Sequence, residues 1–277
     1  MRYNHISMAR ATSTRNGGER HVNIDCSRLC RMRTFHQSVR VVTYNIHKCR
    51  GLDRRVQPGR IVDILGEINA DILALQEVLS VEGRSREADQ AQFIAEELGL
   101  DFAFGETRHL NGGRYGNVIL THFPIHICRN YDITAMGREP RGCLRTDIQV
   151  DAATLHVFNV HLGTAFLEHR AQARRLFDEH ILNHEELSGA RIVLGDFNEW
   201  LRGSVSRTLR SHLKWADIRH HLQRSRTYPG VLPLLHLDHI YFDPILTLER
   251  LQLHRKRKAV IASDHLPLVA DFRIEAA

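Results

Sequence analysis

Apolar residues fall into two rhythms from Ser38 onward, and each rhythm predicts an element. The run "SVRVVTYNI" (38–46) is short and β-branched, which predicts a strand. The stretch "GRIVDILGEINADILALQEV" (59–78) changes period midway. Ile61, Ile64, Leu65 and Ile68 share one helical face, and "ILALQ" then reads as a buried strand. Residues 87–98 predict a second helix. "GNVILTHFPI" (116–125), "GCLRTDIQV" (142–150) and "TLHVFNVHL" (154–162) are consecutive strands, which favours antiparallel pairing over strict βαβ alternation. A helix over 167–186, a strand over 191–195 and a helix over 204–213 follow, then strands near 238–242, 246–253 and 266–273. These elements make one α/β domain over residues 39–277, with two sheets face to face and helices outside.

The strand in "IVLGDFNEW" (192–200) ends on Gly195, with Asp196 and Asn198 two positions apart behind it. On a persisting strand they would share a face, suited to holding a water or a metal-bound oxygen. Gly, Asp and Asn are also turn formers, so the stretch alone leaves both readings open. The pattern recurs, however. "TYNIH" ends a strand at Asn45 and His47, "LQE" at Gln76 and Glu77, and "NVHLG" carries Asn159 and His161. "LDHI" offers Asp238 and His239, and "SDH" offers Ser263, Asp264 and His265. So many polar groups beside buried strands are costly unless paired or metal-bound. Oxygen-rich ligands with few cysteines select a hard cation, Mg2+ or Mn2+. Glu77, closing the apolar run "ILAL", is the expected direct ligand, and Asn45 and Asp264 complete its shell or bridge to it through water. His265 beside Asp264 is placed for proton transfer, and Asp238 can hold that imidazole in one tautomer.

The ordered set "TYNIH", "LQE", "NVHLG", "GDFN", "LDHI" and "SDH" resembles the endonuclease/exonuclease/phosphatase superfamily, the deoxyribonuclease I-like fold, over residues 39–273. The resemblance implies a four-layer α/β sandwich, two packed mixed β-sheets flanked by helices, and divalent-metal hydrolysis of a phosphate ester. It further implies Asn45 and Glu77 in the metal shell, with Asp196 and Asn198 positioning the attacking water and the phosphate. In the same scheme His161 donates to the phosphate, Asp238 orients His265, and Asp264 with His265 closes the site. Asp196 is the candidate base. Longer stretches such as "TYNIHKCRGLD" and "HLGTAFLEHRAQARRL" are similar to a bacterial branch described as metal-dependent hydrolases, some linked to phospholipid metabolism. His239 departs from that branch, which often carries arginine there. An inactive binding protein on this fold would be expected to lack Glu77, Asp196 or His265, and all three are present.

Charge bears on the substrate. The formal net charge is +6, but seven arginines against Glu19 and Asp25 place five of those charges in residues 1–38. The other 239 residues carry only one, so the domain lacks a nucleic-acid footprint. Residues 1–38 show no apolar period and read as a disordered basic arm; Met32 offers an alternative start. Arg141, Arg145 and Arg170 are candidate phosphate contacts, with ordinary salt bridges the alternative for the last two. Tyr228 is the aromatic expected against the substrate, and Tyr115, Phe166 and Trp200 can join it. The run "HRKRK" (254–258) reads either as a basic lip for DNA or anionic lipid phosphates, or as a solvated hairpin turn. Five scattered cysteines argue against a disulfide framework, and Cys26, Cys30 and His36 lack a fourth ligand for zinc. No apolar run is long enough to span a bilayer and no secretory h-region is present, so a cytoplasmic protein with at most peripheral membrane contact is expected. The substrate expected is a lipid-type or small phosphodiester, with DNA or RNA cleavage as the alternative.

Overall fold

The computed structural model describes residues 37–177, 181–184, 186–200, 203–217, 227–228 and 235–274. The expected basic arm lies outside them, apart from Gln37 and Ser38, which open the first strand; Cys26, Cys30 and His36 lie outside too.

Two six-stranded sheets form the centre. One runs β11 (Thr247–Leu253), β12 (Leu268–Ile274), β1 (Gln37–Asn45), β2 (Ile72–Ser80), β4 (Gly113–Thr121) and β3 (Asp101–Leu110). The other runs β5 (Ile125–Asp132), β6 (Gly142–Val150), β7 (Ala153–His161), β8 (Ala190–Asp196), β10 (Asp238–Phe242) and β9 (Lys214–Trp215). The pairs β1–β2 and β7–β8 are parallel and the rest antiparallel, so both sheets are mixed. Val41, Ile72, Ile119, Val157, Ile192 and Phe272 meet between the sheets as one apolar layer. Helices α1 (Pro58–Ile68), α2 (Gln90–Leu98) and α5 (Arg257–Ala262) cover the outer face of the first sheet. Helices α3 (Phe166–Phe177) and α4 (Ser204–His212) cover the outer face of the second. The result is the expected four-layer α/β sandwich.

Ile61, Ile64, Leu65 and Ile68 form the buried stripe of α1, as their spacing predicts. Five elements depart from expectation. The strands β3, β5 and β9 were not legible because they are sheet edges, where solvent on one side dilutes the apolar signal. The helix expected over 167–186 is shorter: α3 ends at Phe177, and Ile181–Asn183 is a turn. There Leu182 N–H donates to Leu176 O (3.0 Å) and Asn183 Nδ2 to Phe177 O (3.0 Å). Ile181 and Leu182 still pack on the helix's core, which kept the apolar period running past its end. The fifth is α5, which replaces the hairpin turn expected at "HRKRK". With only Ala259 and Ala262 buried, it is too short to show a period.

Candidate active site

Strand register brings the polar clusters to one end of the sandwich. Asp196 on β8 is the neighbour of both His161 on β7 and Asp238 on β10. Asn45 on β1 pairs with Gln76 on β2, and Thr43 with Leu268, so the Ser263–His265 turn lies at the same end.

Gly195 explains how the chain enters this site. Its φ is +148°, and a Cβ there would lie 1.8 Å from Val160 O on the adjacent strand. Only glycine lets β8 approach β7 this closely. The strand stops at Asp196, and Asn198 turns into the left-handed region at φ +49°. Alternation is therefore broken: Asn198 N–H donates to Asp196 Oδ1 (3.0 Å), and its Nδ2 donates to Leu162 O (3.0 Å). The next residue, Glu199, caps α4 by accepting from the backbone N–H groups of Val205 and Ser206 (both 3.1 Å).

Glu77 sits inside β2, not at its end. The β2–β4 register slips between Leu75 and Val78, and Glu77 takes φ +57° at this bulge. A bulge re-aims a side chain that regular pleating would direct elsewhere. Asn45 Nδ2 donates to Glu77 Oε1 (3.2 Å) and to Asp196 Oδ2 (3.0 Å), while Asn45 Oδ1 accepts from His47 N–H (3.0 Å). Lys48 Nζ lies 2.6 Å from Glu77 Oε2. Burial alone would raise the Glu77 carboxyl, but His161, Lys48 and Asn45 hold it well below the usual carboxylate range. His47, Lys48 and Cys49 all have positive φ, a left-handed turn in non-glycine residues that favours a functional demand. The turn aims Lys48 at Glu77 and sets His47 Nδ1 3.5 Å from Asp264 Oδ1.

Asp238, His265 and Asp196 form a buried line. His265 Nδ1 is 2.9 Å from Asp238 Oδ2, and its Nε2 is 3.6 Å from Asp196 Oδ2. Burial would lower the imidazole pKa, but Asp238 and Asp196 together push it up to about 10. Burial raises the Asp196 carboxyl, against the pull of His265 and His161. On the other side of Asp196, His161 Nε2 lies 3.7 Å from Oδ2. Burial and the adjacent Arg141 guanidinium lower His161 to about 4. Arg141 Nη1 is 2.9 Å from His161 Nε2, and Nη2 is 2.8 Å from Glu139 Oε2. One imidazole is thus a cation and the other neutral, on either side of one carboxylate.

The expected residues divide by position. Asn45, Glu77, His161, Asp196, Asp238 and His265 converge. Asp264 reaches them through His47, and Arg141 through His161. Tyr228 joins with its ring 4.9 Å from that of His265. Arg170 is exposed on α3, and among the described residues no ion pair ties it to the site. Arg145 is wholly buried and bound to Asp147 (2.8 and 2.6 Å), so it is a core ion pair and not a phosphate contact. "HRKRK" is no lip: Lys256 binds Glu67 (3.0 Å) and Lys258 binds Asp63 (2.8 Å), on the flank of α1. His239 packs edge-on against Phe197, on the opposite face of β10 from Asp238. Gln76 and Asn159 hydrogen-bond each other between the sheets (2.7 Å), and Asn117 donates to Asn159 O (3.2 Å); they support the site from beneath. Sequence reasoning missed Lys48, whose only signal was its place next to His47.

The profile of the Endonuclease/Exonuclease/phosphatase family matches residues 42–265. The uncharacterized protein YbhP of Escherichia coli K12 is 31% identical over 250 residues, covering 86% of this chain and 97% of YbhP. Among solved structures, the mannosyl-6-phosphatase Bt3783 of Bacteroides thetaiotaomicron superposes with a TM-score of 0.69 at 16% identity, over 84% of this chain and 99% of that one. The human Nocturnin catalytic domain, solved with a bound sulfate anion, superposes with a TM-score of 0.64 at 20% identity, over 86% and 96% of the two chains. Both structural likenesses speak to fold.

Proposed function

The chain belongs to the endonuclease/exonuclease/phosphatase family, and from that premise we propose that it is a divalent-metal-dependent phosphodiesterase acting on a lipid-type or small phosphodiester. The observation that carries the reading is the buried line Asp238–His265–Asp196, which ends beside the ionised Glu77.

The donors fit a hard cation. Glu77 already accepts one positive charge, the Lys48 ammonium, and its surroundings keep it ionised. Glu77 and Asp264 supply the oxygens that Mg2+ or Mn2+ prefers. Asn45 turns its Nδ2 toward the Glu77 and Asp196 carboxylates, so its oxygen would ligate only with the carboxamide reversed. Asp196, Asp238 and His265 also place ligand atoms within 4.8 Å of one another. We leave the cation to Glu77, because His265 keeps its proton between two carboxylates. A bound divalent ion would neutralise charge on the phosphoryl oxygens.

This chain's own groups supply the rest. Asp196, its carboxyl raised by burial, accepts a proton from the attacking water. As the bond from phosphorus to the leaving oxygen breaks, His265 donates its Nε2 proton to that oxygen, with Asp238 fixing its tautomer through Nδ1. Asn198 holds the turn that presents Asp196, and His161 with Arg141 contacts the phosphate from the other side.

The test is an assay of the full chain with Mg2+ or Mn2+ on bis(p-nitrophenyl) phosphate, on cardiolipin and sphingomyelin vesicles, and on plasmid and abasic DNA. Metal-dependent release from the soluble diester or a lipid supports the reading. Activity confined to DNA would move the substrate to nucleic acid, and no hydrolysis with any metal would overturn it.

A further inference from the structure

Among the described residues eight large apolar side chains are exposed, and six of them stand in segments at the end that holds the site. Leu52 and Val56 lie in the segment after β1, Met136 in the one before β6, Phe166 and Leu167 just after β7, and Trp200 just after β8. Register fixes that end: Cys143 of β6 pairs with Val160 of β7, and His161 with Asp196 of β8. The six are 43% to 64% exposed. Singly exposed apolar residues are ordinary, but they would be expected on every face. Only Ile127 and Ile245 lie elsewhere.

Three of these four segments carry exposed arginines. Arg54 and Arg55 are exposed between Leu52 and Val56, Arg138 lies two residues from Met136, and Arg170 one turn beyond Phe166. Of their acidic neighbours, Asp53 binds Arg60 (2.6 Å), Glu139 binds Arg108 (2.7 Å) and Arg141 (2.8 Å), and Glu168 is buried away from the surface. Apolar tips flanked by exposed arginines that form no ion pair among the described residues complement a bilayer, with hydrocarbon beneath anionic headgroups. Four of the six tips are aliphatic and give bases nothing to stack on, which sets the rim apart from a nucleic-acid platform.

We propose that this rim docks the protein on an anionic phospholipid surface, so that a membrane phosphodiester enters the site headgroup first. The proposal rests on the phosphodiesterase reading for its substrate, while the docking itself is independent of hydrolysis. The full chain is sedimented with vesicles of phosphatidylcholine, alone or mixed in equal parts with phosphatidylglycerol, while tryptophan emission is recorded in parallel. Trp200 is exposed and Trp215, the other tryptophan, is covered by Arg210, so a blue shift reports Trp200. Binding about tenfold or more tighter to the mixed vesicles is expected, with a blue shift. Met136→Ser with Leu167→Ser should cut partitioning about tenfold or more, since each deleted side chain would leave hydrocarbon. Hydrolysis of bis(p-nitrophenyl) phosphate and the melting temperature should be unchanged, and Val56→Ser should repeat the effect more weakly. No vesicle binding, or binding that ignores these substitutions, overturns the proposal. So does loss of DNA binding in the double variant with vesicle binding intact. Failure of docking with the soluble diester still hydrolysed removes this inference alone. Docking without any hydrolysis removes the catalytic reading alone.

Discussion

His265 Nδ1 lies 2.9 Å from Asp238 Oδ2, and Asp238 has no solvent exposure. The second Asp238 oxygen, Oδ1, is buried and accepts no hydrogen bond among the described residues. The carboxylate therefore leans on the His265 imidazolium, and the two should fail as one unit. A positioned acid–base group contributes roughly 10²–10⁴-fold. Asp238→Asn and His265→Ala should each lose kcat/KM within that range, and the double variant should be little worse than His265→Ala. Multiplicative losses in kcat/KM on the soluble diester would place Asp238 in a different role.

Glu77→Gln should abolish metal-dependent turnover with the fold intact. The amide keeps the shape of the side chain but cannot balance a divalent charge or hold Lys48 at 2.6 Å. Mn2+ titration followed by electron paramagnetic resonance should show weaker binding in the variant. Near-native activity at saturating Mg2+ would refute the assignment.

Gly195→Ala tests the strand approach that presents Asp196. The new Cβ would meet Val160 O at 1.8 Å, on a backbone at φ +148°. A cost on the order of 3 kcal/mol is expected from overpacking and backbone strain. Urea denaturation measures it directly, and a loss below about 1 kcal/mol would show that β7 and β8 can separate freely.

Remote from the site, Asp147 gives a pH signature. Burial raises its carboxyl, but His156 at 2.7 Å and Arg145 at 2.6 Å outweigh burial and bring it to about 2. Since the folded pKa is depressed, the stabilisation is present above about pH 4 and fades as pH falls toward 2, roughly 2 kcal/mol in all. Asp147→Asn should destabilise the protein at neutral pH, and the gap in urea midpoint between variant and wild type should shrink below pH 4. A gap that stays constant with pH would refute the ion-pair reading.

The sequence by itself determined the four-layer arrangement and most of the site's membership. Buried strands and amphipathic helices announce themselves through periodicity, as Ile61–Ile68 and "ILALQ" do, because the signal and the structure share one local cause. Polar residues closing those strands were equally visible: Asn45, Glu77, His161, Asp196, Asp238 and His265 all converge. Tertiary structure decided what each one faces. Arg145 and Arg141 look alike in the sequence, yet the first is sealed against Asp147 and the second lies against His161. Lys48 reached Glu77 only through a left-handed turn and a β-bulge, neither of which has a periodic signature. Edge strands such as β3 and β5 were lost for a related reason, since their pairing partners and not their own pattern hold them in the sheet. The rim of apolar tips belongs to the same class. Its members come from four separate segments, and only the register of β6, β7 and β8 and the shared end of β1 bring them round one site.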